Sequence, residues 1–311
     1  MLKTKLCEIF GIDIPIVQGG MIWTSGHALA AAVSEAGALG LIGAGSMTTE
    51  LLREQIRKCR LETKKNFGVN LPVFFRHADE MVKTIIDEHV PIVFTSGGSP
   101  ARYTSELKSH GIKVAHVCST PAQAKKCEDA GVDAVVIEGF EAGGHNGRDE
   151  LTTMVNVPQT VDMVDIPVIA AGGIADGRQM AAALCLGAHG VQVGTRFAAS
   201  VEASSHENFK HAIVKAGACD TFLVMRKLMP TRVIINDFAR KALEAELAGA
   251  DQDKLSGLLG HGRAEAGMFK GDLAEGELEI GQVAGMIKEI KPAAWIVQQM
   301  LTECENVLRQ F

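Results

Sequence analysis

The sequence lacks most of the short motifs that announce a mechanism. It has no HExxH pair, no Walker phosphate loop and no GxSxG elbow. Those absences remove the sequence signals of a zinc hydrolase, a P-loop NTPase and an α/β-hydrolase. Its seven cysteines, Cys7, Cys59, Cys118, Cys127, Cys185, Cys219 and Cys304, include no CxxC. An odd, scattered set fits a reducing compartment better than a disulfide framework, and it forms no metal-ligand cluster. Positive charge is not in excess: the net charge is −6, which argues against nucleic acid as the main partner. Long apolar runs are missing as well. Glu8 and Asp13 interrupt the N-terminal stretch, and Pro15, Gln18, Gly19, Gly20 and His27 break the charge-free stretch 14–34. Neither a signal peptide nor a membrane span is expected, so the chain reads as a cytoplasmic protein.

Glycine is abundant: 33 of 311 residues, against a usual ~7%. There is no Gly-X-Y period, so the glycines must serve turns and close backbone approaches. Hydrophobic residues make up 47% and charged residues 22%, the composition of a globular protein.

Short β-branched runs alternate with amphipathic stretches, the signature of βα units around a parallel sheet. Strands are predicted at 14–18, 38–42, 66–71, 92–96, 113–119, 134–138, 167–171 and 190–194. Their near-continuous apolar character suits strands buried on both faces. Helices are predicted at 26–36, 49–62, 78–89, 100–110, 121–130, 151–163 and 176–186. Gly37, Gly111, Gly131 and Gly187 each stand just past a helix end, where a left-handed cap is cheapest. Ser99-Pro100 and Thr120-Pro121 read as N-caps followed by proline.

Eight evenly spaced strands predict an α/β protein of the TIM (β/α)8 barrel type; an open doubly wound sheet is the alternative. The rhythm stops near residue 202. Residues 1–202, completed by 282–311, are assigned to the barrel. Residues 203–281 read as an inserted, mainly helical cap, with helices at 207–216, 237–247 and 254–259. The stretch 282–308 is expected to supply the eighth barrel helix and a C-terminal helix.

In such a barrel the chemistry sits where strands end. Gly20 and Met21 follow the first strand, where glycine admits a flat ligand and methionine packs on rings, or where a tight turn simply needs them. Asn70 ends the third strand and offers a donor and an acceptor, or an Asx turn. The sixth strand runs into Glu138-Gly139-Phe140-Glu141-Ala142-Gly143-Gly144-His145. A lone histidine between glycines is ordinarily a surface residue. Placed after a barrel strand beside two carboxylates, His145 becomes a candidate for proton transfer. The last two strands end in Gly172-Gly173 and Gln192-Val193-Gly194-Thr195. Glycine loops in these two places are where barrels commonly hold phosphate.

QGGM, GVN, EGFEAGGHNG, AAGGIADG, VQVGTRF and GQVAGMI, in this order, resemble the FMN-dependent 2-nitropropane dioxygenase or nitronate monooxygenase superfamily. The resemblance covers essentially the whole barrel. With Glu138 opening the histidine motif, it points to the enoyl-[acyl-carrier-protein] reductase II branch, and nitronate monooxygenase is the alternative. It implies FMN contacts from Gly20, Met21, Asn70, Glu138, Gly143, Gly172, Gly173, Gln192, Gly194 and Thr195, with His145 as the catalytic residue. It further implies NADPH or NADH as co-substrate and an enoyl thioester on acyl carrier protein as the partner; a homodimer is left open. Acyl carrier protein is acidic. Arg226, Lys227, Arg232, Arg240 and Lys241, with only Asp237 among them, are therefore expected to form its docking patch or a site for the nicotinamide pyrophosphate; a solvated helix face is the alternative.

Overall fold

The computed structural model describes residues 2–310. Eleven strands are present among them. They are β1 (Ile16–Gln18), β2 (Gly40–Gly43), β3 (Phe67–Pro72), β4 (Ile92–Ser96), β5 (Lys113–Cys118), β6 (Ala134–Glu138), β7 (Gly144–His145), β8 (Val168–Ala171), β9 (Gly190–Val193), β10 (Thr221–Val224) and β11 (Thr231–Ile234). The helices are α1 (Lys5–Phe10), α2 (His27–Glu35), α3 (Thr49–Glu62), α4 (Ala78–Asp87), α5 (Thr104–Ser109), α6 (Pro121–Asp129), α7 (Thr153–Val161), α8 (Gly177–Cys185), α9 (Thr195–Ala198), α10 (Glu207–Lys215), α11 (Asp237–Leu247), α12 (Gln252–Leu259) and α13 (Ala293–Leu308).

Eight strands form one parallel sheet in the order β1-β9-β8-β6-β5-β4-β3-β2. Its two edges meet. Gln18 N donates to Leu39 O at 2.8 Å and Leu39 N to Ile16 O at 2.9 Å, with Val17 facing Leu39 in a parallel bridge. The sheet thus closes into a (β/α)8 barrel, which leaves it no open edge. All eight predicted strands exist, with ends displaced by a residue or two.

The barrel interior is one apolar cluster: Val17, Leu39, Leu41, Ile92, Phe94, Ala115, Ala134, Val136, Ile169 and Ala171. Leu6, Cys7, Phe10 and Ile12 belong to the same cluster. They come from α1 and the residues after it, which the sequence reading did not find because six residues carry too little periodicity. This helix plugs the N-terminal end of the barrel. Phe10 packs on Phe94 with ring centroids 5.5 Å apart. A β-carbon at Gly190 would meet Leu6 Cδ2 at 2.4 Å, so glycine there makes room for the plug.

Outside the sheet the helices cap as expected. Gly37, Gly111, Gly131 and Gly187 all have φ between 75° and 95°. Thr120 accepts from Gln123 N as the cap of α6. Ser99-Pro100 instead opens a short 3-10 turn, and α5 begins later at Thr104. The C-terminal stretch forms one long helix, not two. A 3-10 turn spans Gln282–Met286, and α13 packs between α8 and α2 as the eighth barrel helix. Pro292 separates the two.

Between β9 and α13 the chain carries α10, α11 and α12, as expected, and also a hairpin that was not. β10 and β11 pair antiparallel, and β11 pairs on its other edge with β7 from the barrel loop. Phe238, Ala239 and Ala242 of α11 pack with Val224, Val233 and Leu255 into a separate small core. No helix among the described residues is long and apolar enough to cross a membrane.

Phe10 is 1% exposed. Phe10→Ala is expected to cost about 3–5 kcal/mol, the usual range for emptying a buried phenylalanine site. Urea unfolding measures it. A midpoint unchanged from the parent would show that α1 is not a structural plug.

Candidate active site

Period-two alternation decides which side chains face the barrel axis. Val135 and Ile137 of β6 pack outward on the helices, while Ala134 and Val136 fill the interior. Glu138 continues the inward series at the strand's C-terminal end. In β3, Val69 and Leu71 pack outward and Asn70 turns in; in β9, Val191 and Val193 pack outward and Gln192 turns in. Register pairs Glu138 with Ala171 and Ala171 with Gln192. A polar layer thus tops an apolar barrel. Asn70 Nδ2 donates to Phe94 O at 3.2 Å, which leaves its Oδ1 for the mouth. Gln192 Oε1 is buried with no partner among the described residues. Burial pushes the Glu138 carboxyl up to about 7.

The loop after β1 is held rigidly. Ser25 Oγ accepts from Met21 N at 3.0 Å and from Gln18 Nε2 at 2.8 Å, and donates to Gly19 O at 3.0 Å. Gly20 lies so close to Asn70 that a β-carbon would overlap Asn70 Cβ at 2.1 Å. Met21 Sδ lies 3.6 Å from the position a β-carbon would take at Gly194.

After β8, Gly172 and Gly173 have φ of 85° and 70°. Thr153 fixes this turn: its hydroxyl donates to Gly172 O at 2.9 Å and its amide to the Glu141 carboxylate at 3.0 Å. The backbone amides of Gly173, Ile174 and Thr195 donate to no group among the described residues. Three free N–H groups on neighbouring loops form a natural anion cradle.

The third wall is the loop 139–147. Gly143 packs directly on the backbone of the segment before Gln282; a β-carbon there would lie 2.5 Å from Gly281 N. This makes Gly143 a packing glycine as well as a cavity residue. Asn146 Nδ2 ties the loop to itself through Ala142 O at 3.0 Å and Gly144 O at 2.9 Å. His145, on β7, faces Thr231 of β11. Its ring reaches the cavity, and desolvation lowers its pKa while Glu277 pulls it back up.

The cofactor-contact and catalytic residues that the resemblance implies all line one cavity of about 1490 Å³: Gly20, Met21, Asn70, Glu138, Gly143, His145, Gly172, Gly173, Gln192, Gly194 and Thr195. Ligand pockets commonly measure about 300–1,000 Å³, so there is room for a flat ligand and a second reactant beside it.

Of the five basic residues expected to form a docking patch, Arg226, Lys227, Arg240 and Lys241 are exposed and Arg232 is not. Arg232 is 3% exposed. Its guanidinium donates to Phe140 O from Nε at 3.2 Å and from Nη2 at 3.1 Å and stacks 4.7 Å from the Phe140 ring. Arg226 pairs with Glu150 and Lys241 with Glu275. Lys227 donates to Ala250 O at 2.6 Å. Arg240 is exposed, with no hydrogen bond or ion pair from its side chain among the described residues. Arg232 leaves the cluster because its place on β11 buries it. Sequence reading also missed Glu277 and Glu279 beside His145, although the alternation Glu277-Leu278-Glu279-Ile280 is itself a strand signal.

Arg232→Ala removes both donors from the Phe140 carbonyl. We expect a loss of about 1–3 kcal/mol, with faster hydrogen exchange across residues 139–147. Exchange in that loop unchanged from the parent would show that Arg232 does not hold it.

The nitronate monooxygenase family profile matches residues 3–81 and 75–303. FabK from Thermotoga maritima superposes with a TM-score of 0.95 at 45% identity, over 100% of this chain and 98% of that one. Nitroalkane oxidase from Streptomyces ansochromogenes superposes with a TM-score of 0.83 at 30% identity, over 98% and 99%. A (3aS,4S,5R,7aS)-5-hydroxy-7a-methyl-1-oxo-octahydro-1H-indene-4-carboxyl-CoA dehydrogenase of Rhodococcus jostii (strain RHA1) is 38% identical over 238 residues, 76% of this chain and 67% of the relative. The polar layer, the glycine turns and the histidine loop therefore belong to a chain of the nitronate monooxygenase family, whose members are FMN-dependent oxidoreductases.

Proposed function

We propose that this chain is an FMN-dependent enoyl-[acyl-carrier-protein] reductase that draws electrons from NADPH or NADH. The observation that carries the reading is the likeness to FabK across the whole chain, together with the likeness to a carboxyl-CoA dehydrogenase of Rhodococcus jostii. Two thioester-handling relatives favour a thioester in the second half of the cavity. The likeness to nitroalkane oxidase keeps nitronate oxidation as the second reading.

The residues fit FMN on their own chemistry. The free amides of Gly173, Ile174 and Thr195 suit its phosphate. The unpartnered Gln192 Oε1 and the free Oδ1 of Asn70 suit the hydrogen-bonding edge of its ring. Gly20, Met21, Gly143, Gly172 and Gly194 line the cavity beside these groups. Bound there, FMN supplies the hydride chemistry, and the protein supplies orientation and electrostatics.

His145 does the remaining work. Desolvation at the cavity wall lowers its pKa, which favours the neutral ring at pH 7. A neutral imidazole donates one hydrogen bond to the oxygen on which negative charge develops, or delivers one proton to the adjacent carbon. Glu138 sits deeper, on the strand end, and ionises near neutrality. In the nitronate reading, the same imidazole accepts a proton from the carbon next to the nitro group.

The test is anaerobic NAD(P)H oxidation with and without a crotonyl thioester, beside an aerobic nitronate assay. We expect thioester-dependent turnover and a yellow protein. Turnover confined to nitronate would overturn the reductase reading. His145→Ala is expected to lower kcat by roughly 100- to 10,000-fold, the usual worth of a general acid or base, with the flavin spectrum retained.

A further inference from the structure

Two carboxylates outside the roles assigned above stand against the His145 loop. Glu277 and Glu279 lie on an extended segment that pairs with β11. Ile234 N donates to Leu278 O at 2.8 Å, and Val233 faces Glu279 in an antiparallel bridge. β7 pairs along the same edge, with Gly144 opposite Arg232. The two segments run end to end, and the Glu279 carboxylate folds back over Gly144. A β-carbon at Gly144 would meet Glu279 Oε2 at 2.6 Å. Glu279 lines the cavity and Glu277 is buried behind it. Among the described residues neither side chain accepts a hydrogen bond or pairs with a cation at contact distance.

We propose that Glu277 and Glu279 are positioning residues that act together as the proton source for His145. The proposal rests on the reading above, in which His145 faces the substrate. The step conserves atoms and moves no electrons between centres. The carboxyl O–H bond breaks as an imidazole N–H bond forms, the imidazolium N–H bond breaks as a proton goes to the substrate, and the carboxylate is reprotonated by one net proton from bulk solvent.

The electrostatics agree with the geometry. Burial, first, and for Glu277 the like charge of Glu279 as well, raise the two carboxyls to about 7. Two carboxylates sharing a site do not both ionise readily, so the pair holds a proton at neutral pH. His145, lowered by burial, does not hold a second one by itself. The other charged groups around the cluster are few. Arg232 on β11 is committed to the Phe140 carbonyl. Arg263 draws Glu277 down. Glu138, Glu141 and His261 line the same cavity, and β10 brings no charge.

The sign of the pH effect follows. Activity that needs the protonated pair falls as pH rises through about 7. In Glu279→Gln the remaining Glu277 loses its like-charged neighbour and titrates lower. The alkaline fall in kcat/KM should then move down by about one pH unit, the ordinary size of such environmental shifts. Glu277→Gln should do the same, and serves if the first variant does not fold.

Infrared spectroscopy supplies a readout that needs no turnover. The protonated-carboxyl stretch that titrates near neutrality should weaken in both variants, while the Glu138 contribution persists. A pH profile and carboxyl band superimposable on the parent's would overturn the proposal. Absence of turnover on thioester and nitronate alike would instead sink the functional reading, and the infrared titration would still decide the fate of the pair.

Discussion

The site depends on glycine backbone lying against its neighbours at places where any side chain would hold the loops apart. Gly20 lies against Asn70, Gly143 against Ile280 and Gly281, and Gly172 against Gly139, each too close for a β-carbon. These contacts join the loop after β1 to β3, the histidine loop to the segment before Gln282, and the β8 turn to the end of β6. Strands of a barrel fix the positions of their last residues. It is the glycine contacts that then draw the loops inward, so that amides and short polar side chains converge on one volume. The glycine excess is in good part the cost of that convergence.

The second dependence runs through β11. One edge of this strand binds β10; the other binds β7 and, further on, the segment around Glu279. The inserted part of the chain is thus not a detached lid. It completes a small sheet whose third member carries His145. Arg232 adds a tie across the same junction by holding the carbonyl and the ring of Phe140. An imidazole on a loop flanked by glycines would otherwise be free to swing. Here the conformation of the histidine is coupled to the folding of the insertion, and changes in one must be felt in the other.

How far this was legible in the sequence follows from the range of the forces involved. The barrel strands were readable because strands buried on both faces are apolar throughout, and the helix ends because φ near +80° favours glycine. The residues of the mouth were readable by position, since strand ends point there. Tertiary partners were not. Arg232 looked like part of a basic patch because five basic residues cluster in sequence, yet alternation along β11 turns it into the protein. Helix α1 is too short for a periodic signal, although its three buried residues close the barrel's far end. Glu277 and Glu279 sit more than 130 positions from His145, and only the pairing of both segments to one strand brings them together.

Charge offers a final physical distinction between the two substrate classes. Glu138, Glu141 and Glu279 line the cavity, and Glu277 stands behind Glu279. Glu138, Glu277 and Glu279 ionise near neutrality, so the cavity carries part of a negative charge at pH 7 and more above it. The free amides that welcome an anion stand apart, on the β8 and β9 turns. A nitronate is an anion. Entering beside His145, it would have to protonate at least one more carboxyl or bear the repulsion of the remaining charge. An enoyl thioester is neutral and pays no such cost. Its charge appears only as hydride arrives, when the imidazole and its carboxyl neighbours can supply a proton. On the proposed reading, the same cluster that discourages an anionic ground state is suited to quench an anionic transition state, an asymmetry that fits the neutral substrate.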